Sequence, residues 1–251
     1  MLRPRIIPFL LIKNKGLIKT VQFKNEKYVG DPINAVRIFN EKKADEIIIV
    51  DKDPTLKGTD PNYKLISHLA EECQMPMTYG GGIKTLKQAE KIFNLGVEKI
   101  SISSGYFENK DLVDKLVNVV GSQSVAVTLD IRKSFFGNYE IMTHEGKNKT
   151  KVNLQNTINE IQNRGAGEII INSIEKDGMM NGYDLSLLNS IKPFIKIPLT
   201  FLGGASEESD FHSILSKYPI IGLAAGSFFV FKGKHKAVLI SYPKEKILDY
   251  E

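Results

Sequence analysis

Two glycine pairs, Gly81-Gly82 and Gly203-Gly204, lie 122 residues apart, and 21 residues after each comes a second small-residue stretch, Ser103-Ser104-Gly105 and Ala225-Gly226-Ser227. Glycine lets backbone N–H groups approach an anion closely, and a helix N-terminus behind such a turn adds about 0.3–1 kcal/mol of favourable interaction. Two cradles of this kind imply a ligand with a phosphate at each end. A lone Gly-Gly reads equally well as a tight strand-to-helix turn, but the hydroxyl-bearing loop that accompanies the pair in both halves favours phosphate. Asp177-Gly178 would line the second cradle.

A second constellation carries charge. Arg5, Glu46, Lys99 and Glu168 each stand at the threshold of a short apolar run. If those runs are strands of one barrel, the four side chains lie at equivalent depth, and two acids balance two bases as a ring across one end. Leaving any one unpaired there would cost several kcal/mol. The spacing is equally compatible with a salt-bridged plug that serves packing alone.

The elements that must position these residues repeat. Glu46-Ile-Ile-Ile-Val-Asp51 returns as Glu168-Ile-Ile-Ile-Asn-Ser173, and Pro76-Met-Thr-Tyr-Gly-Gly-Gly-Ile83 returns as Pro198-Leu-Thr-Phe-Leu-Gly-Gly-Ala205, both at the offset of 122. Matches at one spacing mark an internal duplication. An acidic residue, a β-branched run and then polar residues read as a buried parallel strand leaving into a functional loop. Strands are expected at Ile6 to Ile12, Glu46 to Asp51, Met75 to Tyr79, Lys99 to Ser104, Val125 to Asp130, Glu168 to Ser173, Leu199 to Leu202 and Ile221 to Ala224. Helices fall between them, the first capped by Asp31 with Pro32 at its first position. Lys13 to Tyr28 reads as a polar loop, Phe135 to Val152 as a hairpin-like excursion, and Lys232 to Glu251 as a last helix and tail. Eight strands alternating with helices in two similar halves give an α/β protein, a single (β/α)8 TIM barrel. It would occupy residues 1–251 as one domain, with half-barrels of about 1–122 and 123–251.

Composition narrows the function class. The net charge of +5 comes from scattered lysines rather than a basic face interleaved with aromatics, which argues against nucleic-acid binding. Cys73 is the only cysteine, so an intrachain disulfide is excluded, and its expected place on a helix suits a structural thiol better than a nucleophile. The first apolar run is too short to span a membrane and no targeting segment is visible, so a cytoplasmic protein without membrane association is expected. His68, His144, His212 and His235 show no metal-ligand spacing, and neither metal nor cofactor is expected.

Seven motifs, Arg5-Ile-Ile-Pro8, Gly80-Gly-Gly-Ile83, Glu98-Lys-Ile-Ser-Ile102, Leu129-Asp130, Gly165-Ala-Gly-Glu-Ile-Ile-Ile-Asn-Ser173, Asp177-Gly178 with Gly182-Tyr-Asp184, and Gly203-Gly-Ala205, carry a resemblance over essentially the whole chain. The chain resembles the cyclase subunit (HisF) of imidazole glycerol phosphate synthase. That resemblance implies a barrel whose N-terminal face docks a glutaminase (HisH-like) subunit, with Glu98 and Gln123 on the docking surface and Glu98 in place of the usual aspartate. Ammonia from the partner would pass a gate of Arg5, Glu46, Lys99 and Glu168. At the opposite face the family binds a bisphosphorylated aminoimidazole carboxamide ribonucleotide, adds ammonia, and cleaves and cyclises it into imidazole glycerol phosphate. Lys19 matches the family's mobile loop over this substrate.

The same resemblance implies two catalytic aspartates, a general acid and a general base, because protons must move at two places along the substrate. Asp130 matches one. The other position holds Leu11, which cannot exchange a proton. The stretch Ile12-Lys-Asn-Lys-Gly-Leu-Ile-Lys19 is similar to a HisF-like paralogue group that works with a glutaminase and a third amidotransferase protein to place acetamidino groups on surface sugars. The expectation is therefore a HisF-type synthase subunit specialised away from histidine biosynthesis. One alternative is a working cyclase in which Asp51 or Asp177 supplies the missing carboxylate. Another is a non-catalytic conduit that binds and activates a glutaminase. The related phosphoribosyl isomerase barrel shares the cradles but has no use for the charged ring.

Overall fold

Eight largely buried runs pair side by side until the last meets the first. In the computed structural model, which describes residues 3–248, they are β1 (Arg5–Lys13), β2 (Ile47–Asp51), β3 (Met77–Gly80), β4 (Lys99–Ile102), β5 (Val125–Lys133), β6 (Glu168–Ser173), β7 (Leu199–Leu202) and β8 (Gly222–Ala225). Consecutive strands are parallel neighbours. Strand β8 closes on β1 with Arg5 opposite Gly222 and Pro8 opposite Ala225. Closure leaves the strand layer without an exposed edge. With helices such as Pro32–Glu41, Tyr63–Glu72 and Leu154–Asn163 between the strands, the fold is a (β/α)8 barrel.

Strand alternation sorts the apolar residues into two cores. Ile7, Ile48, Ala126, Ile170, Leu202 and Ala224 form one cluster that fills the lumen. Their neighbours Ile6, Leu10, Ile47, Ile49 and Phe201 pack outward against the helices. The helices begin where polar side chains cap them: Asp31 accepts from the Asn34 N–H at 2.8 Å, Asn62 caps Leu65, and Thr85 and Gln88 form a capping box. Each cap is worth about 1 kcal/mol.

Two expectations are corrected. Lys13 to Tyr28 is a β-hairpin, not a loop: β1 pairs with Gly16–Val21, which pairs in turn with Lys24–Gly30. Its two-residue turns, Asn14-Lys15 (φ +48°, +64°) and Gln22-Phe23 (φ +52°, +63°), adopt left-handed backbone without the glycine that normally announces it. The strand also looks polar because Lys19 and Thr20 are buried, turned into the molecule rather than toward water. The tail differs as well. Phe231–Lys232 pairs with Ala237–Val238 and only Lys244–Leu248 is helical, and Tyr242 anchors this segment by meeting Phe39 edge-on and Phe229 at a tilt and by donating its hydroxyl to the Ile6 carbonyl at 2.8 Å. The expected tail beyond 248 lies outside the described residues. The excursion after β5 is a hairpin, with Arg132 opposite Glu140 and Asp130 opposite Met142. Strand β4 stops at Ile102, so Ser103 makes the turn and Ser104 opens the short helix Ser104–Glu108. No helix among the described residues is long and apolar enough to cross a membrane.

Candidate active site

The loops leaving the strands enclose a cavity of two lobes at the C-terminal end of the barrel. The larger lobe, of about 140 Å³, is lined by Gly81, Gly82, Ser103, Ser104, Asp51 and Asp130 among others. The smaller, of about 30 Å³, is lined by Gly178, Gly203, Gly204, Ala225, Gly226, Ser227 and Lys19. Phe9, Leu11, Thr20 and Asp177 line both. The structure therefore gathers the expected cradle residues into two groups with Leu11 on the partition between them. Gly81 shows why glycine is needed at such a turn: its φ is +123°, and a Cβ would lie 2.1 Å from the Asp51 carbonyl oxygen.

Four carboxyl groups face this cavity, those of Asp51, Asp130, Glu145 and Asp177. Asn172 Nδ2 donates to Asp130 Oδ1 at 2.9 Å. Enclosure raises the Asp130 carboxyl to about 6, with hydrogen bonds from Asn172 and Ser103 pulling down and the charges of Asp177 and Glu145 pushing up. A carboxyl poised there can give or take a proton near neutral pH. Asp51 is buried and is likewise raised to about 6 by burial, opposed by the Asp53 N–H that it accepts. Asp177 accepts from Thr20 Oγ1 at 2.7 Å and from the Phe23 N–H at 3.2 Å. Burial raises its carboxyl, while those bonds and the charge of Lys19 hold it back. Leu11 offers no proton-exchanging atom.

Lys19, placed on a loop by sequence, is a buried strand residue on the second lobe. Its Nζ donates to the Phe9 carbonyl at 2.6 Å. Burial lowers its pKa to about 8 against the opposing charge of Asp177.

Two hairpins cover the cavity and are tied to each other. Buried Lys52, just past β2, stands 2.9 Å from Glu26 of the first hairpin and 2.9 Å from Glu145 of the second. The His144 N–H donates to Ser104 Oγ at 3.0 Å, and the Gln22 N–H to the Asp177 carbonyl at 2.9 Å. Gly178, at φ +66°, makes the last contact possible, since a Cβ would lie 1.9 Å from the Thr20 carbonyl oxygen.

At the opposite end the four charged residues meet. Arg5 reaches Glu46 Oε2 at 2.7 Å and Glu168 Oε1 at 2.7 Å, and Lys99 Nζ reaches Glu168 Oε2 at 2.6 Å and Glu46 Oε1 at 3.4 Å. Thr78 and Thr200 donate hydroxyls to Glu46 and Glu168. Burial alone would raise the Glu168 carboxyl, but the charges and hydrogen bonds of Lys99 and Arg5 outweigh it and hold it at about 2. The ring draws on β1, β4, β6 and the residue before β2, and the apolar lumen layer separates it from the cavity.

Glu98 and Gln123 are exposed beside the starts of β4 and β5, outside the ring. Glu98 accepts from the Met77 N–H at 2.9 Å, and Gln123 donates to the Val120 carbonyl at 3.3 Å. Cys73 ends the helix Tyr63–Glu72, half-buried, and burial pushes its thiol up to about 11, which suits an inert structural group. His68 and His235 are exposed, His144 lies 3.4 Å from Glu108, and His212 Nε2 lies 2.9 Å from the Lys246 carbonyl. Among the described residues no group of three or more His, Cys, Asp or Glu is arranged to hold a metal ion.

The profile of the family described as histidine biosynthesis protein matches residues 5–236. The chain belongs to this family. It is 51% identical over 244 residues to a Leptospira borgpetersenii protein provisionally named imidazole glycerol phosphate synthase subunit HisF, covering 97% of this chain and 96% of the relative. It is 50% identical over 254 residues to a Vibrio vulnificus protein provisionally named subunit hisF3, covering 99% and 98%. A Natranaerobius thermophilus protein named subunit HisF without that reservation is 32% identical over 246 residues, 98% of each chain.

Thr20, Lys52, Glu145 and Asn172 are among the residues of this HisF-family pocket to which the sequence assigned no individual role. Asn172 alone had a usable signal, because alternation along β6 sets it on the same face as Glu168 and Ile170. Lys52 and Glu145 are joined only by the hairpins that fold over the barrel.

Proposed function

We propose that this chain is the synthase-side subunit of a glutamine-dependent nitrogen-transfer complex. A glutaminase docks on the N-terminal face, with Glu98 and Gln123 in the contact area. Ammonia passes the ring of Arg5, Glu46, Lys99 and Glu168, crosses the lumen and reaches a ligand whose anionic ends sit in the two glycine cradles. Lys19 serves the second cradle, and Asp130 exchanges the proton. The observation that carries this reading is the ring itself, in which two buried carboxylates hold two half-buried cations. A buried ion network is often no more stabilising than apolar residues of similar volume, so four charges closing the end opposite the cavity make better sense as a passage for a small polar molecule than as packing.

Leu11 directs the chemistry away from the conventional cyclisation. It lines both lobes where the resemblance expects a second carboxylate. The higher identity to the two provisionally named relatives than to the Natranaerobius chain supports a specialised subunit. Nitrogen transfer to surface sugars as acetamidino groups, with a third amidotransferase protein, fits that specialisation. A second reading has one observation in its favour: Asp51 lines the first lobe, on the strand beside Leu11, with its carboxyl raised to about 6. In that case Asp51 replaces the missing carboxylate and the chain is a working cyclase.

The deciding experiment is ammonia-dependent turnover of the bisphosphorylated aminoimidazole carboxamide ribonucleotide by the purified chain beside Leu11→Asp. No turnover by the native chain and some by Leu11→Asp is the expected result. Robust native turnover overturns the specialised reading in favour of the cyclase. If nitrogen transfer to the physiological acceptor is unaffected by Asp130→Asn, the barrel is a conduit only.

A further inference from the structure

Asn172 is almost fully buried, yet its carboxamide is only half used: Nδ2 donates to Asp130, while Oδ1 has no hydrogen-bond partner among the described residues. A buried unpaired polar atom costs about 1–3 kcal/mol, so its retention calls for a ligand or a change of state. Its direction identifies which. A Cβ built on Gly203 would lie 3.5 Å from Asn172 Oδ1, so the unpaired atom faces the Gly203-Gly204 cradle while the other end of the same carboxamide faces Asp130. Asn172 lines the first lobe with Asp130, and its Oδ1 lies beside the Gly203 backbone at the edge of the second lobe, so the carboxamide stands between the two.

The chemistry of a carboxamide makes that connection conditional. An ionised Asp130 only accepts, so it takes the Nδ2 donor and leaves an acceptor aimed at the cradle. A protonated Asp130 can donate, which permits the carboxamide to turn about χ2, accept that proton's hydrogen bond through Oδ1 and aim Nδ2 at the cradle. An anion in the cradle is repelled by the first arrangement and bound by the second.

We propose that Asn172 is a positioning residue that couples anion binding at Gly203-Gly204 to proton uptake by Asp130. The inference rests on the reading of that loop as an anion cradle. The bound ligand would thus set Asp130 as a general acid, a state the empty pocket holds less firmly. Asp130 also faces Ser103 from the turn after β4, Asp177 from the loop after β6 and Glu145 from the second hairpin, with Lys19 beside Asp177 and Lys52 on Glu145. These charges are the same with either Asn172 orientation, and an anion's direct repulsion of Asp130 through space persists without Asn172. The carboxamide contribution is the part that disappears with it.

The test follows the Asp130 carboxyl carbon and the Asn172 side-chain amide by NMR in the full chain, titrated with and without inorganic phosphate, in the native protein, Asn172→Leu and Asp130→Asn. Phosphate is expected to raise the Asp130 midpoint by about 1 on the pH scale in the native protein and by less than half as much in Asn172→Leu. The Asn172 amide should titrate with Asp130 and lose that inflection in Asp130→Asn, which keeps the shape of the side chain and guards against misfolding of the leucine variant. An equal phosphate effect in native protein and Asn172→Leu overturns the coupling, as does an Asn172 amide that still titrates in Asp130→Asn. If phosphate leaves the amides of Gly203, Gly204 and Gly226 unmoved, the anion cradle itself is wrong and the coupling falls with it.

Discussion

Lys99 and Glu168, 69 residues apart in sequence, meet at the N-terminal mouth of the barrel with ammonium and carboxylate 2.6 Å apart. The carboxylate's other oxygen takes Arg5, so removing Glu168 leaves two cations sharing Glu46 as their remaining carboxylate. Glu168→Gln should cost about 3–5 kcal/mol in urea unfolding, the loss typical of breaking a buried pair by one partner.

The same residue gives the acid limb of stability a definite sign. Its carboxyl is held at about 2 against an ordinary 4.5, so its contribution is present in full above 4.5 and is lost as pH falls toward 2. Glu168→Gln should flatten stability over that interval, measured by urea midpoints at successive pH values.

Lys19 has the opposite effect on the fold. Its pKa falls from 10.5 to about 8, so the folded protein bears the penalty of a buried charge in full below 8, and the penalty fades as pH rises toward 10.5. Lys19→Met should raise the melting temperature at neutral pH by about 2–4 °C, lose that advantage in alkaline buffer, and weaken phosphate binding in calorimetry.

Lys52 is the tie between the two hairpins, through Glu26 and Glu145. Lys52→Met keeps the aliphatic stem and leaves two carboxylates without their shared cation. It should cost about 1–3 kcal/mol and speed amide exchange about tenfold in both hairpins while the barrel strands stay protected.

Two glycines with positive φ should respond differently to alanine. At Gly81 the new Cβ meets the Asp51 backbone, and at Gly137, in the second hairpin's turn, it meets nothing within 4 Å. Gly81→Ala should cost more than about 4 kcal/mol and Gly137→Ala about 1–2 kcal/mol, read by thermal unfolding.

The barrel was legible in sequence because strand burial in this fold is nearly complete, so apolar runs repeat without dilution by solvent-facing residues. The duplication supplied register: Glu46 and Glu168, or Gly81 and Gly203, name equivalent depths without any coordinates. The first hairpin was not legible, because its turns use Asn14-Lys15 and Gln22-Phe23 where glycine would have signalled a reversal, and because its strand carries polar residues inward.

The types and depths of the site residues belong to the sequence itself: four balanced charges at one end, two glycine cradles at the other, and leucine at position 11. Tertiary structure alone decided how they combine. It turned Lys19 from a loop residue into a buried cation, brought Lys52 between two hairpins, and placed one carboxamide between Asp130 and the Gly203 backbone. Local sequence specifies which face of a strand a side chain takes, but partners contributed by distant segments exist only once the barrel has closed and fixed the spacing between strands.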